Sequence, residues 1–312
     1  MLMNNLISVC IATYKRPLLL EKLLVSLLNQ KNIDQYNLEI VVVDNDPQKT
    51  AEPVINKFKE LIISNSRYSI KYDMQPEKNI ALTRNRTVEL ATGNYLYFID
   101  DDEYADEYCI YNHLKVMKEF DADVTFGNVL PYFEENVSNI IKAAKTFYKL
   151  NSPDGNRTKI LATSNTLLKI STFKQFNIYF NPDYGITGGS DNEFFLKMYN
   201  QGFKLVSASS SIVYEFIPHN RSNLLWLIKR VFRTGNNYSR SLIEHTSEKD
   251  IRLFIKTEQF VIGFIQAIIA IIFSILFLII DKDKSLNWFL KAISNLGKPF
   301  AVLGIYPKEY KK

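Results

Sequence analysis

Cysteine is scarce in this 312-residue chain: Cys10 lies in an apolar run and Cys109 far downstream. That excludes a disulfide framework and any CxxC metal site, and it fits a reducing cytosol. Neither GxGxxG nor GxxxxGKS occurs, so dinucleotide and P-loop chemistry lack their usual signatures. The opening MLMNNLISVCIATYKRP has no basic n-region and runs straight into a strand pattern, unlike a signal peptide. Internal repeats and low-complexity tracts are also missing. What is present is apolar: 46% hydrophobic and 13% aromatic residues are enough for one large core, or one core with a small appendage.

The net charge of +5 is unevenly spread. Residues 221–259 hold eight Lys/Arg against four Asp/Glu, and residues 281–312 hold seven against three, so the first 220 residues are mildly acidic. An acidic body with a basic, apolar tail points to an anionic membrane surface as partner. Nucleic acid would require a basic patch on the body and is not expected.

Apolar runs at 6–13, 39–43, 69–74 and 95–99 alternate with helical patterns, the sign of βαβ units around a mostly parallel sheet. Pro17 can open a helix whose face carries Leu20, Leu23, Leu24, Leu27 and Leu28; a second helix runs over 80–91 and closes at Gly93. A β-rich stretch returns at 123–133. Residues 136–159 read as a mobile loop plus helix covering a cleft, and residues 160–215 as further strand and helix. Gly188-Gly189-Ser190-Asp191-Asn192-Glu193 opens a helix reaching about Asn200. Residues 260–280 carry no charge and would span roughly 31 Å as a helix. That matches a ~30 Å hydrocarbon core. Both flanks are basic, so orientation is not set, and a hairpin with residues 286–306 is an alternative. Upstream, residues 224–233 alternate Leu225, Ile228 and Phe232 with Lys229, Arg230 and Arg233, which suits an interfacial helix. The chain is therefore divided into a catalytic unit, 1–220, and a membrane-associating tail, 221–312.

Polar groups gather where three successive strands end: Thr13-Tyr14-Lys15-Arg16, then Asp44 in IVVVDND, then Asp100-Asp101-Asp102 followed by Glu103. Adjacent strand ends of a parallel sheet build a crevice suited to a base, a ribose and a diphosphate. Side-chain alternation would put Asp100 and Asp102 on one side, where like charges repel unless a cation or protons intervene. Oxygen-only ligands favour Mg²⁺ or Mn²⁺. Arg84, in the first turns of its helix, can point into the crevice; Arg86 faces solvent.

In their order, ISVCIATYKRP, IVVVDND, NIALTRNRTVELATGNYLYFIDDDE and GGSDNEFF make residues 5–220 resemble the family 2 glycosyltransferases. The FIDDDE variant, the later SNTLLKIS and VYEFIPHNR followed by a basic helix look most like enzymes of exopolysaccharide assembly. The resemblance implies a GT-A fold, an α/β architecture with a mostly parallel central sheet. It also implies that Thr13 and Asp44 contact the nucleotide base with Arg84 beside it, that Asp100 reaches the ribose, that Asp102 binds Mn²⁺ or Mg²⁺ on the diphosphate, and that Asp101 shares either role. Tyr14 and Arg16 are further candidate contacts to the nucleotide sugar. Asp191 matches the catalytic base, which draws a proton from the acceptor hydroxyl as the sugar inverts. Relatives often carry an acidic residue before this position, where Ser190 stands here. QxxRW is missing, which implies single sugar addition. His219 is a candidate to complete the metal shell or touch the acceptor.

The expected activity is therefore transfer of one sugar from a UDP-sugar to a lipid-linked saccharide acceptor at the cytoplasmic face of the membrane. The alternatives are a sugar nucleotidyltransferase, whose glycine-rich GxGTR-like start is missing, and a membrane-bound scaffold without catalysis, against which Asp100, Asp102 and Asp191 speak.

Overall fold

A computed structural model describes residues 5–158, 161–171, 179–244, 246 and 248–307. Parts of the expected strand and helix region, residues 159, 160 and 172–178, lie outside the described residues. One eight-stranded sheet organises the body, built from β1 Leu6–Thr13, β2 Asn37–Asp44, β3 Tyr68–Met74, β4 Tyr95–Phe98, β5 Glu103–Ala105, β6 Val124–Phe133, β7 Thr166–Lys169 and β8 Leu205–Ile217. The order is β3-β2-β1-β4-β7-β6-β8-β5. Pairing is parallel from β3 through β4 and again between β6 and β8. It is antiparallel where β7 joins the two halves and where β5 meets β8.

The first half follows from its sequence. β1 and β2 are buried along most of their length, as near-continuous Val/Ile runs should be when helices cover both faces. α1, Pro17–Leu28, lays Leu20, Leu23, Leu24 and Leu27 on that sheet, each burial contributing ~1.5–3 kcal/mol. α2, Glu52–Ile62, presents Ile55, Phe58 and Ile62. α3, Ile80–Leu90, is N-capped by Asn79, whose side chain accepts from the amides of Ala81 and Leu82. Only glycine fits at 93, where a Cβ would stand 2.7 Å from Leu6 O as the chain turns into β4. β2 and β3 lie on one side of β1 and β4 on the other, so the order in which strands are added reverses between β1 and β4. Such a switch point leaves a crevice at the strands' carboxyl ends.

α4, Cys109–Glu119, covers β6 and β8, and α5, Asn139–Lys142, is a single turn. The segment expected to cover the cleft instead packs inward: Phe147 is buried against Phe133 and stacks on Trp226, and Lys149 bridges to Val129 of β6. α6, Ser190–Asn200, is pinned to the sheet by Phe194 and Phe195, which pack on Phe180 and Phe126. Three long helices follow: α7 Leu224–Glu244, α8 Lys249–Phe277 and α9 Lys282–Val302. The apolar face of α7 differs from the expected interfacial one, because Leu227 and Val231 are buried with Leu290 of α9 and Phe147. That face is occupied by protein.

Candidate active site

β4 ends at Phe98, and Asp101 and Asp102 fall in a turn. Strand alternation therefore does not extend through the acidic run, and Asp100 parts from Asp102 instead of sharing a side with it. Asp101 is fixed to the β1–α1 turn. Its Oδ2 accepts from Thr13 Oγ1 at 2.9 Å and from the Tyr14 amide at 3.3 Å, and its Oδ1 accepts from Arg16 at 2.7 Å. Arg16 also donates to Asp102 Oδ2 at 2.8 Å, and Arg221 reaches the same oxygen at 3.0 Å. Lys15 holds φ +56 in this turn, a left-handed conformation uncommon outside glycine. The middle aspartate thus clips the first loop to the end of β4.

Asp100 faces the opposite way, toward α3 and α6. Arg84 donates to Asp100 Oδ1 at 3.3 Å and to Ser190 Oγ at 3.3 Å, so one guanidinium bridges the acidic run and the start of α6. Asp191 is the next residue, half-buried on the first turn, its Oδ1 accepting from the Asn192 amide. Gly189 before it has φ +93, and Asn237 of α7 lies 3.3 Å from where its Cβ would be. The loop behind is gripped by α7 as well, with Arg240 donating to Thr187 and standing over the Tyr184 ring, and Tyr184 donating to Glu244. Arg86 points away and pairs with Asp73 and Glu89.

On the β2 side, Asp44 is fully buried; its oxygens accept from the amides of Asp46 and Ala51 and from the Tyr72 hydroxyl. Burial raises its pKa above the usual carboxylate range, partly offset by those hydrogen bonds. Asp46, unremarked in the sequence, is 1% exposed, and its Oδ2 has no hydrogen-bond partner.

Burial dominates the electrostatics of the acidic run. It raises Asp101, with Arg16 opposing, and pushes Asp102 up to about 6, where Arg16 and Arg221 oppose it and Asp101 and Glu215 add to it. Glu103 is raised well above its usual range by burial and by Asp100. Glu215 is held low despite burial, by Lys149, Arg230 and Arg221. Two of the opposing cations come from residues that sequence reasoning did not single out, Lys149, 3.4 Å from Glu215, and Arg221; the third, Arg230, belongs to the stretch read as an interfacial helix. Arg221 stands in the HNR segment just past β8, so position in the chain hinted at it, whereas Lys149 had no local signal. His219 begins the short turn His219–Arg221, and its backbone amide donates to Glu134. Among the described residues its ring makes no hydrogen bond or ion pair to the acidic run.

No group of three or more His, Cys, Asp or Glu side chains among the described residues could by itself hold a metal ion. Mg²⁺ and Mn²⁺ seldom need such a cage, since one or two carboxylates and substrate phosphates complete the shell. Asp102, whose two guanidinium contacts both fall on Oδ2, suits that mode by donor chemistry. The crevice thus combines buried carboxylates, three arginines suited to phosphate and, next to the Ser190 that Arg84 reaches, a carboxylate on a helix start.

The sequence profile described as Glycosyl transferase family 2 matches residues 8–177. The chain is 29% identical over 238 residues to the succinoglycan biosynthesis protein ExoM of Rhizobium meliloti strain 1021, covering 76% of this chain and 75% of that protein. Its fold resembles that of the mannosyltransferase PcManGT from Pyrobaculum calidifontis, solved with GDP-Man and Mn²⁺, at a TM-score of 0.62 and 15% identity, over 94% of this chain and 86% of the other. It also resembles S. aureus TarS 1-349 in complex with UDP-GlcNAc, at a TM-score of 0.55 and 14% identity, over 94% and 91%. With a GT-A sheet, a switch-point crevice and a profile match over more than half its length, the chain belongs to glycosyl transferase family 2 and is a glycosyltransferase.

Proposed function

We propose that this enzyme transfers a single sugar, with inversion, from a UDP-sugar to a lipid-linked saccharide acceptor in exopolysaccharide or cell-envelope glycan synthesis. The observation that carries the reading is the Arg84 bridge, which ties Asp100 at the donor end of the crevice to Ser190 beside Asp191. A base on one side and a diphosphate site on the other is the arrangement an in-line displacement needs. The similarity to a succinoglycan biosynthesis protein supports the pathway class. Two fold neighbours were solved with UDP-GlcNAc and GDP-Man, so the fold alone does not select the base.

In the proposed mechanism, Thr13, Tyr14 and Asp44 line the base side and Asp100 takes the ribose. Asp46, with its unpartnered Oδ2, offers a further acceptor for a base N–H. Asp191 accepts the acceptor hydroxyl's proton while that oxygen attacks the anomeric carbon. The bond from this carbon to the diphosphate breaks, and the charge left on UDP is met by Arg16, Arg84 and Arg221. Asp102 would hold Mn²⁺ or Mg²⁺, with His219 a further candidate donor, and the ion would supply Lewis-acid stabilisation of the leaving diphosphate. Residues 1–220 carry the base and most donor contacts and 221–312 the membrane side, with Arg221 and α7 shared because the first meets Asp102 and the second closes on the loop before Asp191. The tail places the site at the cytoplasmic membrane face, next to its acceptor. The test is release of the nucleoside diphosphate, UDP from a panel of UDP-sugars or GDP from GDP-mannose, with Mn²⁺; release from no UDP-sugar would refute the donor assignment.

A further inference from the structure

α8 departs from the rule for helices on a folded body. The large side chains along it, including Leu253, Phe254, Ile265, Ile268, Ile272 and Ile275, are exposed, while the buried positions are Gln259, Gly263, Ala267 and Ala270. The side turned inward is made of small residues because α9 packs there closely. A Cβ on Gly263 would stand 2.8 Å from Pro299, and at the other end Ser274 and Ser285 exchange side-chain-to-backbone hydrogen bonds of 3.0 and 2.8 Å. The two helices thus run antiparallel and in contact along nearly the whole apolar stretch. α9 is locked from its far side too. Gly235 of α7 would place a Cβ 1.8 Å from Ser294 O, Gly297 would place one 2.2 Å from Phe232 O, and Asn236 donates to Gly297 O at 3.1 Å.

α9 cannot follow α8 across a bilayer. Lys284, Lys291 and Lys298 recur every seventh residue on one side of it, spaced ~10.5 Å apart along the axis. They border α8: Lys298 donates to Gln266 at 2.8 Å, and Lys284 lies 5.5 Å from the Phe277 ring. Lys291 lies 4.7 Å from the ring of Trp288, which stacks on Phe273 of α8 with centroids 4.7 Å apart. Were α8 perpendicular to the membrane, at least one of these ammonium groups would lie near mid-bilayer, where a lysine is strongly disfavoured. A tryptophan flanked by lysines beside an apolar face belongs at a headgroup boundary. α8 also starts with Lys249, Asp250, Arg252, Lys256 and Glu258 among Ile251, Leu253 and Phe254, and at 29 residues it is ~44 Å long, more than a span requires.

We infer that the α8–α9 pair is an in-plane membrane dock, with the outer face of α8 sunk into the acyl boundary of an anionic leaflet and the α9 lysine row set against phospholipid phosphates. The amphipathic unit is the pair, since α8 supplies the apolar face and α9 the cationic rim. A second copy of the chain fits less well, because an isologous interface would set two lysine rows against each other. The inference rests on the membrane reading proposed above and gives it a geometry.

The test uses the full chain and sealed vesicles of phosphatidylglycerol and phosphatidylcholine. Variants Lys249→Cys and Lys282→Cys, each adding one cysteine, mark the two ends of α8; the native Cys10 and Cys109 are buried. Both ends are expected to react from outside with a membrane-impermeant maleimide to the same extent as in detergent; protection of one end until detergent is added would establish a span and overturn the inference. Replacing Lys284, Lys291 and Lys298 together by Gln should weaken binding to these vesicles by about a hundredfold and leave binding to pure phosphatidylcholine unchanged. Should that variant fold poorly, salt titration of the wild type reads the same term, and salt-insensitive binding would overturn the headgroup contact. A soluble dimer that ignores vesicles would assign the face to a second copy. UDP release in detergent is assayed in parallel: lost docking with intact release refutes the dock alone, and normal docking without release refutes the UDP-sugar reading alone.

Discussion

The two walls of the crevice are built in opposite ways. One wall is the ends of β1, β2 and β4, where Thr13, Asp44 and Asp100 to Asp102 arrive because each follows its own buried strand. The other is assembled from distant pieces: Arg221 from the turn after β8, Lys149 from the segment after β6, and the grip of α7 on the loop before Asp191. The first wall is crowded with negative charge that Arg16 of its own β1–α1 turn meets in part, and the second brings Arg221 and Lys149 against the rest. Local pattern thus places the acids, and long-range packing decides which of them are neutralised.

Replacing a group that acts across the gap should have the largest effect. Asp191→Asn is expected to lower kcat by roughly 10²–10⁴-fold while UDP plus Mn²⁺ still protects the protein thermally; equal turnover would remove the base assignment. Asp102→Asn should abolish the Mn²⁺-dependent part of that protection and cost on the order of 10²-fold in turnover, and His219→Ala should lower apparent Mn²⁺ affinity if the ring joins the shell. Cutting the bridge by Arg84→Ala is expected to reduce kcat roughly tenfold to a hundredfold, seen in steady-state kinetics. Arg86→Ala, two residues away and paired with the half-buried Asp73 and the exposed Glu89, should change stability by about 1 kcal/mol and leave kcat intact. Similar losses in both arginine variants would break the contrast between the crevice and the surface.

Beneath the acidic wall lies a buried polar hub that sharpens the comparison from the scaffold side. Asn165 Oδ1 meets His113 Nε2 at 2.8 Å and accepts from Tyr97 and Cys109, while His113 Nδ1 lies 2.9 Å from Thr125 Oγ1. Burial pushes His113 down to about 4. The unfolded chain takes up this proton near pH 6.5 and the folded protein only near 4. Its contribution is therefore complete above pH 6.5 and is lost as pH falls toward 4, by up to about 3 kcal/mol. Chemical denaturation at several pH values should show that slope in the wild type and a flatter one in His113→Gln, even though the variant is less stable overall.

The sequence alone was enough for the strands of the first half, the helix opened by Pro17, the acidic strand ends and the Gly188-Gly189 start of α6. Each of these is a local matter, an apolar run, a capping residue or a left-handed turn, and needs no partner to be recognised. Only tertiary structure decided that β4 stops at Phe98, so that the three aspartates divide differently from strand alternation: Asp101 to Thr13 and Tyr14, Asp102 to Arg16 and Arg221, Asp100 to Arg84. It likewise turned Leu227 and Val231 of α7 inward onto α9, left α8 as the uncovered apolar surface and brought Lys149 under the acids. Those outcomes depend on which elements compete for the same buried space, a property of the whole packed chain that no single segment encodes.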